Sequence, residues 1–129
     1  MTIFDEVSAE RLSQDTKWGL QNHPSVDPIL MSRPGGCTIE RMAEELEMPT
    51  ANRAKWTTDT KFKRGDGSWA DVLMEEFAEA VEAAVLGNTA ELRKELVQVA
   101  AVAVAWIDCV DRGEADNYER GWNTYNKTS

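Results

Sequence analysis

Between Leu96 and Ile107 the chain reads LVQVAAVAVAWI, where the only polar side chain apart from the Trp106 indole is Gln98. At about 1.5 Å per residue, a helix over this run is about 18 Å long, too short to cross a bilayer. A helix that is apolar all round must be covered on all sides. A chain of 129 residues, 42% of them hydrophobic, builds one domain with a modest core, and a single small bundle does not easily supply that cover. Subunit contacts around this helix are therefore expected, and the fold must accommodate them.

The remaining segments fit around that helix. Ile3, Phe4 and Val7 keep a helical spacing with Leu12 at the edge of the same face, so residues 3–18 read as a first helix stopped by Gly19. Residues 19–37 hold Pro24, Pro28, Pro34, Gly35 and Gly36 and read as a long ordered loop. Thr38 caps a short second helix to Met48, ended by Pro49. Residues 50–64 are polar and basic, and the turn Gly65-Asp66-Gly67 closes them. Ser68 caps a third helix, Trp69 to Leu86, and a fourth runs from Thr89 to about Asp111. Residues 114–129 form a polar tail with room for one short helix. No strand pattern survives, so the expected fold is all-α: a single-domain bundle of four to five helices over residues 1–129, assembled as an oligomer.

The third helix carries MEEFAEAVEAA, which puts Glu75, Glu76, Glu79 and Glu82 on three turns. Like charges three or four residues apart repel by about 0.2–0.5 kcal/mol per pair. No Lys or Arg occurs from Gly65 through Leu92 to relieve them. At 100° per residue, Leu73, Phe77, Ala80 and Ala84 share one face, expected to be the core face. Glu75, Glu79 and Glu82 lie roughly opposite, and Glu76 at the border. Glu76 and Glu79 can converge on one ion. On the fourth helix Glu91, Glu95 and Gln98 share a stripe, and the short Gly87-Asn88-Thr89 link can bring the two stripes face to face. Several carboxylates without histidine suit a hard divalent cation such as Mg²⁺ or Mn²⁺. The single histidine, His23, argues against a di-iron site with its Glu-x-x-His pairs. The plainer reading is that glutamate is a good helix former and that acidic helix faces are mostly solvated surface.

Other classes are narrowed by charge and cysteine use. A formal net charge of −9 makes a nucleic-acid backbone a poor partner. Two distant cysteines, Cys37 and Cys109, give neither a zinc motif nor a disulfide framework, which points to a reduced, cytoplasmic compartment. The start, MTIFDEVSAE, has acids where a signal peptide needs a basic and then an apolar stretch.

Glu75-Glu76-x-x-Glu79 followed by Glu95 resembles the EExxE…ExxD pattern of MazG-like all-α nucleotide pyrophosphohydrolases. The stretches SWADVLMEEFAEAVEA and ELRKELVQVAAVAVAWIDCVDR, with ERLSQDTKWGLQNHP near the N-terminus, are similar to a phage and actinobacterial branch of small members. The resemblance covers most of the chain, residues 25–60 least. It implies metal-dependent hydrolysis of a (deoxy)nucleoside triphosphate to the monophosphate and pyrophosphate, with two or three Mg²⁺ or Mn²⁺ ions per site. Carried over by position, Glu76, Glu79 and Glu95 are the implied metal ligands, with Glu76 also catalytic. Glu75 would bind metal or orient the water. The chain departs from the pattern at Gln98, where the family has the final acid; an amide still offers a carbonyl oxygen. The branch includes purine-directed enzymes, so dGTP or dATP is the implied substrate, in a host cytoplasm if the chain is of phage origin. The implied assembly is a homotetramer, a dimer of dimers.

Two further segments offer substrate contacts. Lys61, Lys63 and Arg64 precede the acidic helix and could meet a triphosphate, or equally form a mobile basic loop that offsets the acids. Gln14, Lys17, Trp18, Gln21 and His23 form a polar-aromatic group at the end of the first helix. Trp18 could stack on a base while Gln14 and Gln21 read its edge, or it could anchor the core. Trp56, Trp69, Trp106 and Trp122 read as packing, and Arg112, Arg120 and Asn123 as phosphate contacts only if a neighbouring subunit supplies them. Two rivals remain: a house-cleaning hydrolase of non-standard nucleotides, and a non-catalytic acidic helical module that binds a partner protein.

Overall fold

A computed structural model describes residues 1–116; the tail, with Arg120, Trp122 and Asn123, lies outside the described residues. Six helices and no strand occur among them: α1 (Ile3–Trp18), α2 (Pro28–Met31), α3 (Ile39–Glu45), α4 (Ala51–Arg64), α5 (Trp69–Val85) and α6 (Thr89–Asp111). The fold is all-α. No helix among the described residues is long and apolar enough to cross a membrane.

Local chemistry sets most boundaries. Thr2 and Ser68 each form a capping box, with Asp5 and Asp71, so two orphan N–H groups are met at each helix start. Thr38, Thr50 and Asn88 cap α3, α4 and α6 by accepting from the backbone three residues on. Gly65 ends α4 in the left-handed conformation, φ 91°, which a side chain would strain.

Three elements depart from the sequence reading. The loop 19–37 contains a single helical turn, α2, started by Asp27, whose carboxylate accepts from the N–H groups of Ile29 and Leu30. The polar, basic 50–64 segment is a full helix. Its apolar signal is thin because the face it buries is small: Ala54 and Thr58 rather than large side chains. The short α3 stops at Glu45, earlier than expected, because Leu46 caps it and Glu47 turns to φ 53° ahead of Pro49.

The central element is α5. Its C-terminal half builds the core, with Val81 and Val85 against Leu30 and Met42, flanked by Val26, Ile39 and Met48. Along its length α5 packs on both α4 and α6, joined to α6 by the tight turn at Gly87. Burial extends round α5 beyond the expected core face. Ala78, Val81 and Val85 are buried, whereas Phe77 is 43% exposed and Leu73 only half-buried. Of the expected four, only Ala80 is fully buried. The reason is that α4 and α6 flank the acidic side of α5, so all four glutamates are partly covered.

The expectation of an uncovered α6 is met within one chain. Cys109 is its single fully buried residue, and Leu96, Val97 and Val110 stand about half exposed. Helix α1 touches α6 but buries none of its residues.

Candidate functional site

Glu76 and Glu79 rise from α5 one turn apart, and Glu95 faces them from the first third of α6. One carboxylate oxygen from each lies within 4.8 Å of the others. All three residues are half-buried. The hairpin that holds them depends on Gly87, whose φ of 70° suits a residue without Cβ, and on Asn88, whose side chain starts α6. No Lys or Arg among the described residues forms an ion pair with any of the three.

Such crowding changes proton affinity. Burial raises the Glu76 carboxyl above its ordinary value, with repulsion from Glu95 and then Glu75 adding to it. Glu79 is likewise raised, first by burial and then by Glu76 and Glu75, although a hydrogen bond with Glu95 works the other way. Three oxygen donors from two helices, without nitrogen or sulfur, fit a hard divalent cation such as Mg²⁺ or Mn²⁺.

The other predicted residues have separate positions. Glu75 is half-buried on the side of α5 that carries Asp71 and Ala78, next to α4. Gln98 is exposed one turn beyond Glu95. Glu82, grouped in the sequence with the acidic face, caps α4 from another helix, its Oε2 accepting the N–H of Ala51 at 2.6 Å. That contact spans 31 residues, and spacing within α5 gives no sign of it.

Lys61 is already paired. Its Nζ lies 3.0 Å from Asp71 Oδ1, while the Thr58 hydroxyl donates to the Asp71 carbonyl. Burial works to raise the Asp71 carboxyl, but hydrogen bonds from Ser68 and Lys61 outweigh it and hold the group below its ordinary value. Arg64 makes two bonds to Asp66, at 3.1 and 2.9 Å. Lys63 is exposed and has no ion pair among the described residues.

The group on α1 resolves into local pairs. Gln14 bonds Arg11 and Glu10, Lys17 lies 4.8 Å over the Trp18 ring, and Gln21 meets His23 at 3.1 Å. Trp18 is 58% exposed and is not a core anchor. No described hydrogen bond or ion pair joins this group to the carboxylates.

Comparison with protein-family models, curated proteins and solved structures finds no match to this chain. The likeness to the MazG-like family therefore rests on the motif residues themselves.

Proposed function

We propose that the chain is a metal-dependent nucleoside triphosphate pyrophosphohydrolase, converting a purine (d)NTP, dGTP or dATP, to the monophosphate and pyrophosphate. The observation that carries this reading is the convergence of Glu76, Glu79 and Glu95 from two helices, with no ion pair to Lys or Arg among the described residues. In the proposal these three hold Mg²⁺ or Mn²⁺, and Gln98 offers a carbonyl oxygen nearby. Bound there, divalent ions would neutralise charge on the phosphoryl oxygens and acidify a water aimed at the α-phosphorus. Glu75, on the neighbouring stripe, orients that water. Of the three basic residues that precede α5, Lys63 is the one left to meet phosphate, since Lys61 and Arg64 already serve Asp71 and Asp66. Trp18, exposed beside Lys17, is available to stack on the base, with Gln14 and Gln21 at its edge. The assembly proposed is a homotetramer.

The exposed amide of Gln98 favours one rival, a helical binding module whose metal site has degenerated. The test is a product assay across common NTPs and dNTPs with Mg²⁺, Mn²⁺ or chelator, repeated on Glu76→Gln. Pyrophosphate from one purine nucleotide, lost on chelation and in the variant with its circular dichroism unchanged, supports the hydrolase. Pyrophosphate from many nucleotides points to house-cleaning. An inactive wild type that binds no Mn²⁺ leaves the binding module.

A further inference from the structure

The layer of α2 and α3 that covers the C-terminal half of α5 is rich in sulfur. Of the five methionines, Met31, Met42 and Met48 lie in it, the first and last packed against the cluster of Leu30, Met42, Val81 and Val85. Helix α2 is held there by apolar contact. Its hydrogen bonds are local, from the Asp27 cap to the Ser32 hydroxyl that donates to the Ile29 carbonyl. No described hydrogen bond or ion pair ties it to α5.

Beside this layer lies a cavity of about 360 Å³ that opens to solvent and is lined by none of the carboxylates. Pro24, Val26, Pro28, Met31 and Ala84 give it apolar walls, and Ser25 and Ser32 are its polar lining residues. A water occupies about 30 Å³, so a molecule the size of hydrogen peroxide enters freely. Met31 is the one methionine that both lines the cavity and packs on the core. Met1 and Met74 are open, at 94% and 40% exposure, but stand outside the cluster. Met42 is sealed at 0%, and Met48 packs on the cluster without lining the cavity.

We infer that Met31 is a site of modification by peroxide, and that its sulfoxide loosens α2 from α5. In this step the Met31 sulfur takes one oxygen atom from hydrogen peroxide. The O–O bond breaks, a sulfur–oxygen bond forms and water leaves, so the thioether is oxidised and the peroxide reduced. A flexible apolar side chain thereby becomes polar at a contact that only apolar packing holds. The inference is independent of hydrolysis, so an inactive protein would leave it standing.

A peroxide time course on the folded full chain, mapped by peptide mass spectrometry, tests it. Dithiothreitol added afterwards returns cysteine sulfenic acid or disulfide to thiol. Met31 should be oxidised within about threefold of the rate at Met74, and Met42 at least about tenfold more slowly. The thermal midpoint should fall by about 3–6 °C on oxidation. Met31→Leu, which keeps the volume and removes the sulfur, should melt near the wild type and lose that response. Met74→Leu should keep it. Met31→Gln, polar from the start, should melt low without peroxide and fall little further. Met31 left unmodified once Met74 is fully oxidised would overturn the inference. So would Met42 reacting as fast as Met31, Met31→Leu responding as the wild type does, or Met31→Gln melting like the untreated wild type.

Discussion

Glu76 and Glu79 bind protons more tightly in the folded chain than an isolated glutamate, whose ordinary value is 4.5. The unfolded chain therefore releases these protons first. Stability contributed by the pair is present below pH 4.5 and falls as the pH rises through the raised folded values. At neutral pH without divalent ions the cluster is a mild liability, screened because the carboxyls are only half covered. Glu79→Gln should then match or exceed the wild-type stability by about 0.3–0.5 kcal/mol in chelator. Mn²⁺ should reverse the order. At about 100 times its dissociation constant, a bound ion adds about 2.7 kcal/mol to the wild type and far less to the variant. Thermal melts with and without Mn²⁺ check both halves; equal curves for wild type in each condition would make the cluster plain acidic surface. Gly67 offers a second test. A Cβ there would meet the Phe62 ring at 2.5 Å, so Gly67→Ala should destabilise by about 1–3 kcal/mol. In a Phe62→Ala background the same change should be nearly neutral, measured by urea unfolding.

At the scale of elements, α4 is tied to α5 at both ends. Glu82 meets its first N–H group, and Asp71 gathers Lys61 and Thr58 near its last turn. The cluster glutamates lie between these ties along α5, so the ties set how the acidic side is covered. Glu82→Ala should lower stability by about 1–2 kcal/mol, through a partly buried N–H left without an acceptor. Glu82→Gln should retain most of it, since the amide oxygen still accepts. Neither should move the Mn²⁺ midpoint, which separates Glu82 from Glu79; a shifted midpoint would place Glu82 among the ligands. The Asp71 tie responds to pH in the opposite sense from the cluster. Its depressed carboxyl contributes stability that is present above the ordinary value of 3.8 and lost as the pH falls through the folded value. Asp71→Asn should thus flatten the acid limb of the stability profile, as followed by circular dichroism.

For the whole molecule, the balance between covered and uncovered apolar surface is uneven. Among the described residues Met42 and Leu30 are the large side chains buried almost completely, while Phe4, Leu12, Phe77, Leu96 and Val97 remain open. A core this slight gains from association, which couples folding to protein concentration. The thermal midpoint should rise as the chain is concentrated over about a hundredfold range, and Ala100→Glu, which sets a charge on the exposed apolar side of α6, should reduce the dependence. A midpoint independent of concentration in the wild type would mean that one chain is sufficient for its own stability.

The sequence by itself determined what depends on neighbours within a few residues. Thr38 and Ser68 announced helix starts, Gly19 and Gly87 announced stops, and the Glu76–Glu79 spacing put two carboxylates on adjacent turns, because caps and i,i+3 contacts are settled locally. The short link after α5 put the stripe of Glu91, Glu95 and Gln98 opposite them, and the family resemblance singled out Glu95 within it. Helix α4 was not legible, since it buries Ala54 and Thr58 and so carries little apolar periodicity. The tertiary structure alone decided which side of α5 faces inward. Alanines and valines spread around that helix made several faces equally plausible. The choice fell to the α2–α3 layer, which takes Val81 and Val85, and to α4, which takes Glu82 and Asp71. Phe77 was left outside because burial depends on the partner helix, and no pattern within α5 records where that partner will lie.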